Sequence, residues 1–274
     1  MRVEKRITLL EDGARVESVI IPHRGRTTLC VSSQAGCRMG CVFCATGAMG
    51  FSRDLTAGEI LGQLDDARRA GGAISNVVFM GMGEPLDNLS SVAEAIRIMA
   101  DPRGWNIAYR HITVSTAGHA DGIRALGELR LPNLRLAVSL NAADDRLRDR
   151  LMPLNRRFPL RVLKEALLAF PRSRNGVVFV EYVLLAGVND SREQARQAAR
   201  YLDGLPVRVN MIPYNGGPSP VFETPSPERV REFGGWLMEE GLFVRTRISH
   251  GADIQAGCGQ LGAPASLPPA ETGS

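Results

Sequence analysis

Three closely spaced cysteines are the residues of this 274-residue chain best suited to chemistry. Cys37, Cys41 and Cys44 form a C-x3-C-x2-C pattern, which places three thiolates on one short loop. Such a loop can bind three irons of a cubane iron–sulfur cluster. The fourth iron then has no protein ligand, so the cluster can bind and reduce a substrate as well as pass electrons. The pattern therefore predicts one [4Fe–4S] cluster with an open iron.

Three other kinds of site compete with the cluster. A zinc site usually has paired C-x2-C motifs and a fourth cysteine or histidine nearby, but no second pair follows here. The four histidines are scattered singly, at His23, His111, His119 and His250. A disulfide scaffold is typical of a short secreted chain with an even number of cysteines, whereas this chain has five. Chance clustering of buried thiols is the third alternative, and the spacing favours the cluster over all three.

The composition is that of a globular protein with a basic charge. Hydrophobic residues make up 44% of the chain, and the formal charge of +4 gives a pI near 9.0. Nearly all of the basic charge is arginine, since Lys5 and Lys164 are the only lysines, and it permits a polyanionic partner. No apolar run reaches membrane-spanning length, and we see no signal peptide. Because clustered thiolates need a reducing compartment, we expect a cytoplasmic protein without a membrane partner.

The elements that position these cysteines alternate between strands and helices. A β-hairpin is predicted over 4–21, with its turn at Asp12-Gly13. A strand at 27–33 precedes the cysteine loop, and Thr56-x-x-Glu59 forms a capping box that predicts a helix over 57–69. Further strands are predicted at 76–80, 111–115, 134–139, 177–184, 207–212 and 243–248. Helices are predicted between them at 91–99, 120–129, 144–152, 160–170, 190–202 and 226–240.

This alternation predicts an α/β fold with a parallel sheet built from βαβ units. The six principal strands and a seventh at the end are too few for a closed eight-stranded barrel. We therefore expect a partial, open six-stranded (β/α)6 barrel over 26–262, with a short N-terminal β-hairpin extension over 1–25. The segment 263–274 is rich in Ala, Pro and Ser and is expected to be disordered.

Sequence motifs around the cysteines resemble a known family. The triplet, with Phe43 before its last cysteine, resembles the signature of radical S-adenosylmethionine (SAM) enzymes. From about residue 12 to 262 the chain resembles the RlmN/Cfr family, which methylates an aromatic carbon of adenine in RNA. It lies closer to the members that form 2-methyladenosine than to those that methylate C8. The matching stretches are 29–37 (LCVSSQAGC), 81–86 (GMGEPL), 115–118 (STAG), 153–157 (PLNRR), 181–183 (EYV), 212–215 (IPYN) and 256–261 (AGCGQL).

The resemblance implies a mechanism that uses two SAM molecules and two cysteines outside the triplet. The first SAM methylates Cys258, and the second is cleaved at the cluster to a 5′-deoxyadenosyl radical. That radical takes hydrogen from the methyl group on Cys258, and the methylene radical adds to the adenine carbon. After the adduct loses a proton and an electron, Cys30 attacks Cys258, which forms a disulfide and releases the methylated RNA. Glu17, which shares a strand face with Val19 and Ile21, is implied as the acceptor of the proton from adenine.

The resemblance also implies a set of SAM contacts. A glycine allows close backbone approach, and a carboxylate suits the ammonium group of the methionine moiety. Asn141 departs from the family, where histidine is common at this position, although asparagine still donates and accepts hydrogen bonds. The implied contacts are Gly83, Glu84, Ser115, Ser139, Leu140, Asn141 and Asn215.

The partners implied are RNA (rRNA, tRNA or both) and an electron donor such as flavodoxin or ferredoxin, with the protein a monomer. The family's N-terminal accessory domain, used to grip RNA, is not seen before the hairpin. Phosphate contacts position RNA without reading its sequence, and we place candidate contacts at Arg148, Arg150, Arg156 and Arg157, with a solvated helix face as the alternative. Two other functions are open. One is the same core acting on a different target, such as adenine C8, tRNA alone, a small nucleotide or a peptide, and the other is a non-enzymatic electron carrier.

Overall fold

The computed structural model describes residues 2–23, 25–71, 73–216, 221–247, 251 and 254–262. The predicted disordered segment 263–274 and the end of the last predicted strand, at residue 248, lie outside these residues. Within the described part of the chain, no helix is both long and apolar enough to cross a membrane.

In the part of the chain that the structure describes, eleven strands form one large sheet and one small ribbon. They are β1 Glu4–Leu9, β2 Arg15–His23, β3 Arg26–Cys30, β4 Gln34–Gly36, β5 Phe51–Asp54, β6 Ile74–Phe79, β7 Ile112–Thr116, β8 Arg135–Ser139, β9 Val178–Leu184, β10 Val207–Pro213 and β11 Val244–Thr246. The helices are α1 Ala45–Ala48, α2 Ala57–Arg69, α3 Leu89–Ala100, α4 Ala120–Glu128, α5 Asp145–Leu151, α6 Leu160–Ala169, α7 Arg192–Leu202 and α8 Pro227–Glu239.

The large sheet has nine strands in the order β1-β2-β3-β6-β7-β8-β9-β10-β11. β1 pairs antiparallel with β2, and β2 pairs antiparallel with β3. From β3 to β11 every neighbouring pair is parallel. The strand before the cysteine loop, five further strands and a short seventh are all present, which confirms the predicted open α/β barrel. In the described residues the order does not return from β11 to β1, so the barrel is not closed.

Local sequence signals account for the helices that were predicted most accurately. The Thr56 hydroxyl accepts a hydrogen bond from the Glu59 N–H, and the Glu59 carboxylate accepts one from the Thr56 N–H. This capping box satisfies two N–H groups that the first turn leaves free, and α2 begins and ends where predicted. Ser191 and Gln194 form a second capping box at the start of α7.

The apolar strand residues lie between the sheet and its covering helices. Val77, Val114, Leu136 and Val180 are fully or almost fully buried, as expected for parallel strands with helices on one face. The neighbouring residues along each strand face the inside of the barrel. This inner face carries the polar side chains that are described in the following subsections.

A small ribbon of β4 and β5 was not predicted. The two strands pair antiparallel, from Gln34 opposite Asp54 to Gly36 opposite Phe51, and they join the two ends of the cysteine loop. A strand of three residues is too short to show the alternation that identifies strands in sequence. The same is true of α1, which has four residues.

Arg148 on α5 is fully buried, so its prediction as an RNA phosphate contact is wrong. Its guanidinium donates hydrogen bonds to the carbonyl oxygens of Leu140 (3.1 Å), Ala117 (2.8 Å) and Ser139 (3.0 Å). A fourth bond, of 2.7 Å, goes to the side chain of Asn155. The residue therefore joins the carboxyl ends of β7 and β8 to α5. Arg150, Arg156 and Arg157 are exposed.

We expect Arg148→Leu to lower the free energy of unfolding by about 3 kcal/mol or more, because four buried acceptors lose a charged donor. Arg150→Leu, on an exposed position of the same helix, should change it by less than about 0.5 kcal/mol. Urea unfolding of both variants under reducing conditions measures the difference. Equal losses in the two variants would contradict this role for Arg148.

Candidate active site

The cysteine loop is held at both ends. Cys37 follows β4, and its N–H donates a 2.8 Å hydrogen bond to the carbonyl of Gly50. Gly36 has a φ of +79°, and a Cβ there would collide with the same carbonyl oxygen, so only glycine fits. Cys44 precedes α1 as its N-cap residue, and its N–H donates to the carbonyl of Cys41 at 3.1 Å. The loop is therefore a compact turn with the three cysteines on it.

The cysteine thiols lie in a protected environment. Burial raises the pKa of the Cys37 thiol to about 12 and the pKa of the Cys41 thiol well above its ordinary value. Such thiols are protonated near neutral pH, and metal binding would deprotonate them. Among the described residues, no three His, Cys, Asp or Glu side chains converge on the position of a single metal ion. Three thiolates that each bind a different iron of a cubane need not converge on one point.

A cavity of about 160 Å³ opens at the carboxyl ends of the parallel strands, beside the cysteine loop. Ligands bind at this edge in open parallel sheets. The structure brings most of the predicted site residues into the wall of this one cavity. They are Cys37, Cys41, Cys44, Gly83, Glu84, Ser115, Ser139, Asn141 and Cys258.

Glu84 is the buried carboxylate of the cavity wall. It accepts hydrogen bonds from the N–H groups of Ala117 (2.7 Å) and Leu86 (3.1 Å). Burial raises the pKa of Glu84 to about 7, although the bond from Ala117 opposes this rise. The preceding Gly83 has a φ of +100°, and a Cβ there would lie 2.6 Å from the Cβ of Gln34. Glycine is therefore required for the tight packing that presents Glu84 to the cavity.

Two polar atoms in the cavity wall have no hydrogen-bond partner among the described residues. They are the hydroxyl of Tyr214 and one carboxylate oxygen, Oε2, of Glu181. Burial raises the pKa of both groups. Buried polar atoms without partners are rare, and a ligand with hydroxyl, amino and carboxylate groups would satisfy them. SAM carries all three, so the residues present fit SAM beside a cluster on the cysteine loop.

The loop that carries Cys258 is docked against the cysteine loop. The N–H of Ala45 donates a 2.7 Å hydrogen bond to the carbonyl of Gly259, and the Thr46 hydroxyl donates one of 2.7 Å to the carbonyl of Leu261. Gln260 closes the turn, because its side chain accepts from the N–H of Gly257 at 3.0 Å. These bonds place Cys258 at the cavity, next to the residues predicted to hold the cluster.

Cys30, Cys258 and Arg247 interact electrostatically although they are far apart in sequence. Burial, and to a lesser extent the charge of Cys258, raise the pKa of the Cys30 thiol to about 12. Cys258 is exposed on its loop, yet desolvation raises the pKa of its thiol, and Arg247 opposes that rise. Arg247 also lies 3.5 Å from Glu181, which accepts a 2.8 Å hydrogen bond from Asn210. The two cysteines therefore lie within electrostatic range of each other and of the ion pair between Arg247 and Glu181.

The other predicted contacts lie outside the cavity wall. Leu140 is buried, and its carbonyl accepts the hydrogen bond from Arg148. The carbonyl of Asn215 accepts a 2.9 Å bond from the Gln260 side chain. Glu17 is buried behind the Cys258 loop, where it accepts a 3.0 Å bond from the N–H of Gly262 and lies 3.5 Å from the Lys5 amine.

The structure gives a reason for asparagine at position 141. Asn141 has a φ of +56°, a conformation that asparagine tolerates better than most residues. Its side-chain oxygen accepts a 2.8 Å hydrogen bond from the Val183 N–H, and its carbonyl accepts one of 2.8 Å from the Asn189 side chain. Asn141 therefore joins β8 to β9 while it also lines the cavity.

Sequence reasoning did not assign Tyr214, Glu181, Arg247 or Gln260 to the site. Glu181 could have been found, because it is the one acidic residue in the apolar run of β9 and strand residues alternate between faces. Tyr214, Arg247 and Gln260 offered no such signal, since each lies beyond the last residue of a strand.

Comparisons with known proteins agree with this geometry. The radical SAM superfamily profile matches residues 31–199. A protein of Pelobacter propionicus named dual-specificity RNA methyltransferase RlmN is 48% identical over 252 residues, which cover 92% of this chain and 72% of that protein. A protein of the same name from Geotalea uraniireducens is 45% identical over 258 residues, covering 94% of this chain and 74% of the other.

Solved structures show the same relationship. The crystal structure of a radical SAM methyltransferase from Sphaerobacter thermophilus superposes with a TM-score of 0.91 at 43% identity, covering 96% of this chain and 78% of that one. SuiB of Streptococcus suis, solved with S-adenosylmethionine bound, shares the fold at a TM-score of 0.57 and 14% identity, covering 82% of this chain and 51% of that one. The cysteine loop, the cavity and these matches together show that the chain belongs to the radical SAM superfamily and, within it, to the RlmN family of RNA methyltransferases.

Proposed function

We propose that this protein methylates carbon 2 of an adenine in 23S rRNA, tRNA or both, through a methylated cysteine. The observation that carries this proposal is the docking of the Cys258 loop on the cysteine loop, and the electrostatic interaction between Cys258 and Cys30 supports it. The relatives named RlmN support RNA as the substrate class. A direct transfer from SAM to an adenine ring carbon is poor chemistry because that carbon is electrophilic, and a cysteine intermediate avoids this step.

The cavity residues would hold the cofactors in defined places. Cys37, Cys41 and Cys44 would bind the [4Fe–4S] cluster, and the Glu84 carboxylate would accept hydrogen bonds from the SAM amino group. The hydroxyl of Tyr214 would find a hydrogen-bond partner in the same ligand, and so would Oε2 of Glu181, beside its ion pair with Arg247. When bound, the cluster and SAM supply a 5′-deoxyadenosyl radical. We further propose Ser115, Ser139, Asn141 and Asn215 as SAM contacts.

Two cysteines would carry the methyl group and release it. The thiolate of Cys258 accepts a methyl group from SAM. After that group loses a hydrogen atom, its carbon bonds to the adenine carbon, and the adduct gives up one proton to Glu17 and one electron, which the oxidised cluster would accept. Cys258 is then joined to the adenine through a thioether whose carbon lies between sulfur and the ring. Cys30 then attacks the sulfur of Cys258, so that a disulfide forms while the bond from sulfur to the adenine-bound carbon breaks. The electron pair of the broken bond stays with the carbon, which takes a proton and becomes the methyl group.

Glu17 and Arg247 are proposed to assist these steps. Glu17 would accept the proton from the adenine carbon, and its bond to the Gly262 N–H joins it to the loop that carries Cys258. The positive charge of Arg247 favours the thiolate forms of Cys258 and Cys30. A thiolate, not a thiol, is the nucleophile in both cysteine reactions.

The RNA and the electron donor would approach the open carboxyl edge of the sheet. Arg156 and Arg157 are exposed there, in the segment that follows α5, and the carbonyl of Leu151 in α5 accepts a 3.1 Å bond from Val42 of the cysteine loop. We propose these two arginines as phosphate contacts. We also propose an electron donor of the flavodoxin or ferredoxin class, a monomeric enzyme and a cytoplasmic location, because the cysteines need a reducing compartment.

We expect Ala at any one of Cys37, Cys41 or Cys44 to abolish the [4Fe–4S] absorption and SAM cleavage after anaerobic reconstitution. Cys30→Ala is the matched control, because this cysteine lies outside the triplet and should leave the cluster intact. Iron and sulfide analysis with ultraviolet–visible and electron paramagnetic resonance spectra measures the result. A triple-alanine variant that still holds four irons would refute the proposed ligands.

Changing either cysteine outside the triplet to Ala should block RNA methylation, but at a different step in each variant. Cys258→Ala has no methyl acceptor, so it should bind the cluster and leave RNA unmodified. Cys30→Ala can still bond Cys258 to the adenine but cannot release it, so RNA should stay attached through a thioether that survives denaturation and reducing agent. Denaturing gels of each variant purified from cells, followed by mass spectrometry of the Cys258 peptide after nuclease digestion, separate these outcomes.

The same experiment contradicts the proposal in two ways. RNA-free Cys30→Ala protein with normal methylation would refute the assigned role of Cys30. Methylation that persists in Cys258→Ala would refute the cysteine intermediate and would favour direct transfer or a different substrate.

A further inference from the structure

A group of positive side chains lies at the amino ends of the parallel strands, opposite the cavity. Arg26 is the first residue of β3 and Arg135 is the first residue of β8. Arg208 and Arg245 are the second residues of β10 and β11, and His111 comes directly before β7. Because these strands are parallel, their amino ends meet at one edge of the sheet.

Electrostatic interactions show that these side chains form one cluster. Burial lowers the pKa of Arg135, and repulsion from Arg208 and Arg26 lowers it further. The pKa of His111 is also lowered, first by desolvation and then by Arg110, Arg135 and Arg26. Four strands lie between β3, which carries Arg26, and β10, which carries Arg208. The curvature of the barrel therefore brings these two arginines toward the same place. We call Arg26, Arg110, Arg135, Arg208 and Arg245 the arginine ring.

Among the described residues, the clustered charges of the arginine ring have no acidic partners to compensate them. Within the described part of the chain, none of its members forms an ion pair with Asp or Glu. Away from the ring, Arg53 bonds both Asp12 and Glu59, and similar pairs join Arg161 to Glu165, Arg192 to Glu239 and Arg231 to Glu228. Like charges held together without compensation destabilise the protein alone, which is typical of a surface that binds a ligand of opposite charge.

An exposed aromatic residue stands among these charges. Phe243 is 50% exposed, and its ring centre lies 5.3 Å from the guanidinium carbon of Arg208 and 5.4 Å from that of Arg245. Its carbonyl accepts a 2.9 Å hydrogen bond from the Val209 N–H, which fixes its backbone against β10. An aromatic ring flanked by guanidinium groups is the arrangement that stacks a base and contacts its phosphates in single-stranded RNA.

We propose that the arginine ring and Phe243 form a second RNA-binding surface, which holds a single-stranded segment by its phosphates and one stacked base. The inference rests on the proposed function, since it takes RNA as the substrate. The amino and carboxyl edges of the sheet are separated by the length of one strand, about 20 Å. This distance is less than one turn of a nucleic-acid duplex. A folded RNA is therefore large enough to place an adenine in the cavity and a distant segment on the ring.

Charge and shape favour RNA over an acidic protein at this surface. A guanidinium matches the oxygens of a phosphate in two parallel hydrogen bonds, and the flat face of Phe243 matches a base. An acidic protein such as an electron donor would complement the positive charge of the arginine ring. An electron donor must approach the cluster, however, and the cluster would bind at the opposite edge of the sheet.

The test measures binding of a fluorescein-labelled oligouridylate to the full-length protein by fluorescence anisotropy over a range of salt concentrations. This RNA has no adenine, so its binding does not depend on the proposed reaction. We expect R135Q/R208Q to weaken binding and to make the slope of log affinity against log salt smaller by about two. R192Q/R231Q removes two exposed, ion-paired arginines and should leave affinity and slope unchanged.

Two further sets of variants sharpen the test. R26Q/R245Q changes ring residues whose side chains are exposed, so it repeats the measurement if Arg135 proves necessary for folding. Phe243→Ala should weaken binding about tenfold with an unchanged salt slope, the loss expected for one stacked base. Phe243→Trp should restore the affinity.

The outcomes separate this inference from the proposed function. Ring variants that match the R192Q/R231Q control in affinity and slope would overturn it. Ring variants that keep their affinity for oligouridylate but no longer bind reduced flavodoxin would overturn it in favour of an acidic protein. Wild-type protein that binds oligouridylate through the ring but never methylates RNA would reject the proposed function and still support the ring as an RNA-binding surface.

Discussion

The contact between the cysteine loop and the loop after β11 is the constraint on which the rest of the structure depends. Two hydrogen bonds, from Ala45 to Gly259 and from Thr46 to Leu261, join segments at opposite ends of the chain. They form only if the sheet curves far enough to bring β3 and β11 to the same cavity. The covering helices favour that curvature, because their apolar faces bury Val77, Val114 and Val180 on the outer side of the sheet.

On the inner face of the barrel, the two ends of the parallel strands have different electrostatic environments. At the carboxyl ends lie buried carboxylates, Glu84 and Glu181, whose pKa values are raised by burial. At the amino ends lie arginines that repel one another. Burial makes the carboxyl edge suited to a ligand that brings its own positive group, and the exposed charges make the amino edge suited to an anion. One parallel sheet thus presents two complementary surfaces, because its strand directions place all equivalent ends together.

The fold was predicted accurately because local sequence signals specify its helices and strands. The site was predicted less completely because contacts between distant parts of the chain form it. The bounds of α2 follow from Thr56 and Glu59, which act within one turn. Burial of Arg148 could not be predicted, because α5 is rich in charge and its sequence does not show which side chain points inward. The proximity of Cys30 to Cys258 came from a family resemblance, since no spacing along the chain encodes a contact made by curvature. Glu181 is the intermediate case, visible as a polar residue in an apolar strand but not assignable to the cavity.

The two outer strands of the sheet also bear on how the protein behaves at high concentration. An open barrel has edge strands, and an exposed edge is a template for pairing with another chain. Within the described residues, β11 has three residues and carries Arg245, while β1 carries Glu4, Lys5 and Arg6. Short length and dense charge both oppose edge-to-edge pairing, because charged side chains on an edge strand favour contact with water over burial against a second copy. These features allow the barrel to stay open without exposing a long, uncharged edge strand that would favour aggregation into extended sheets.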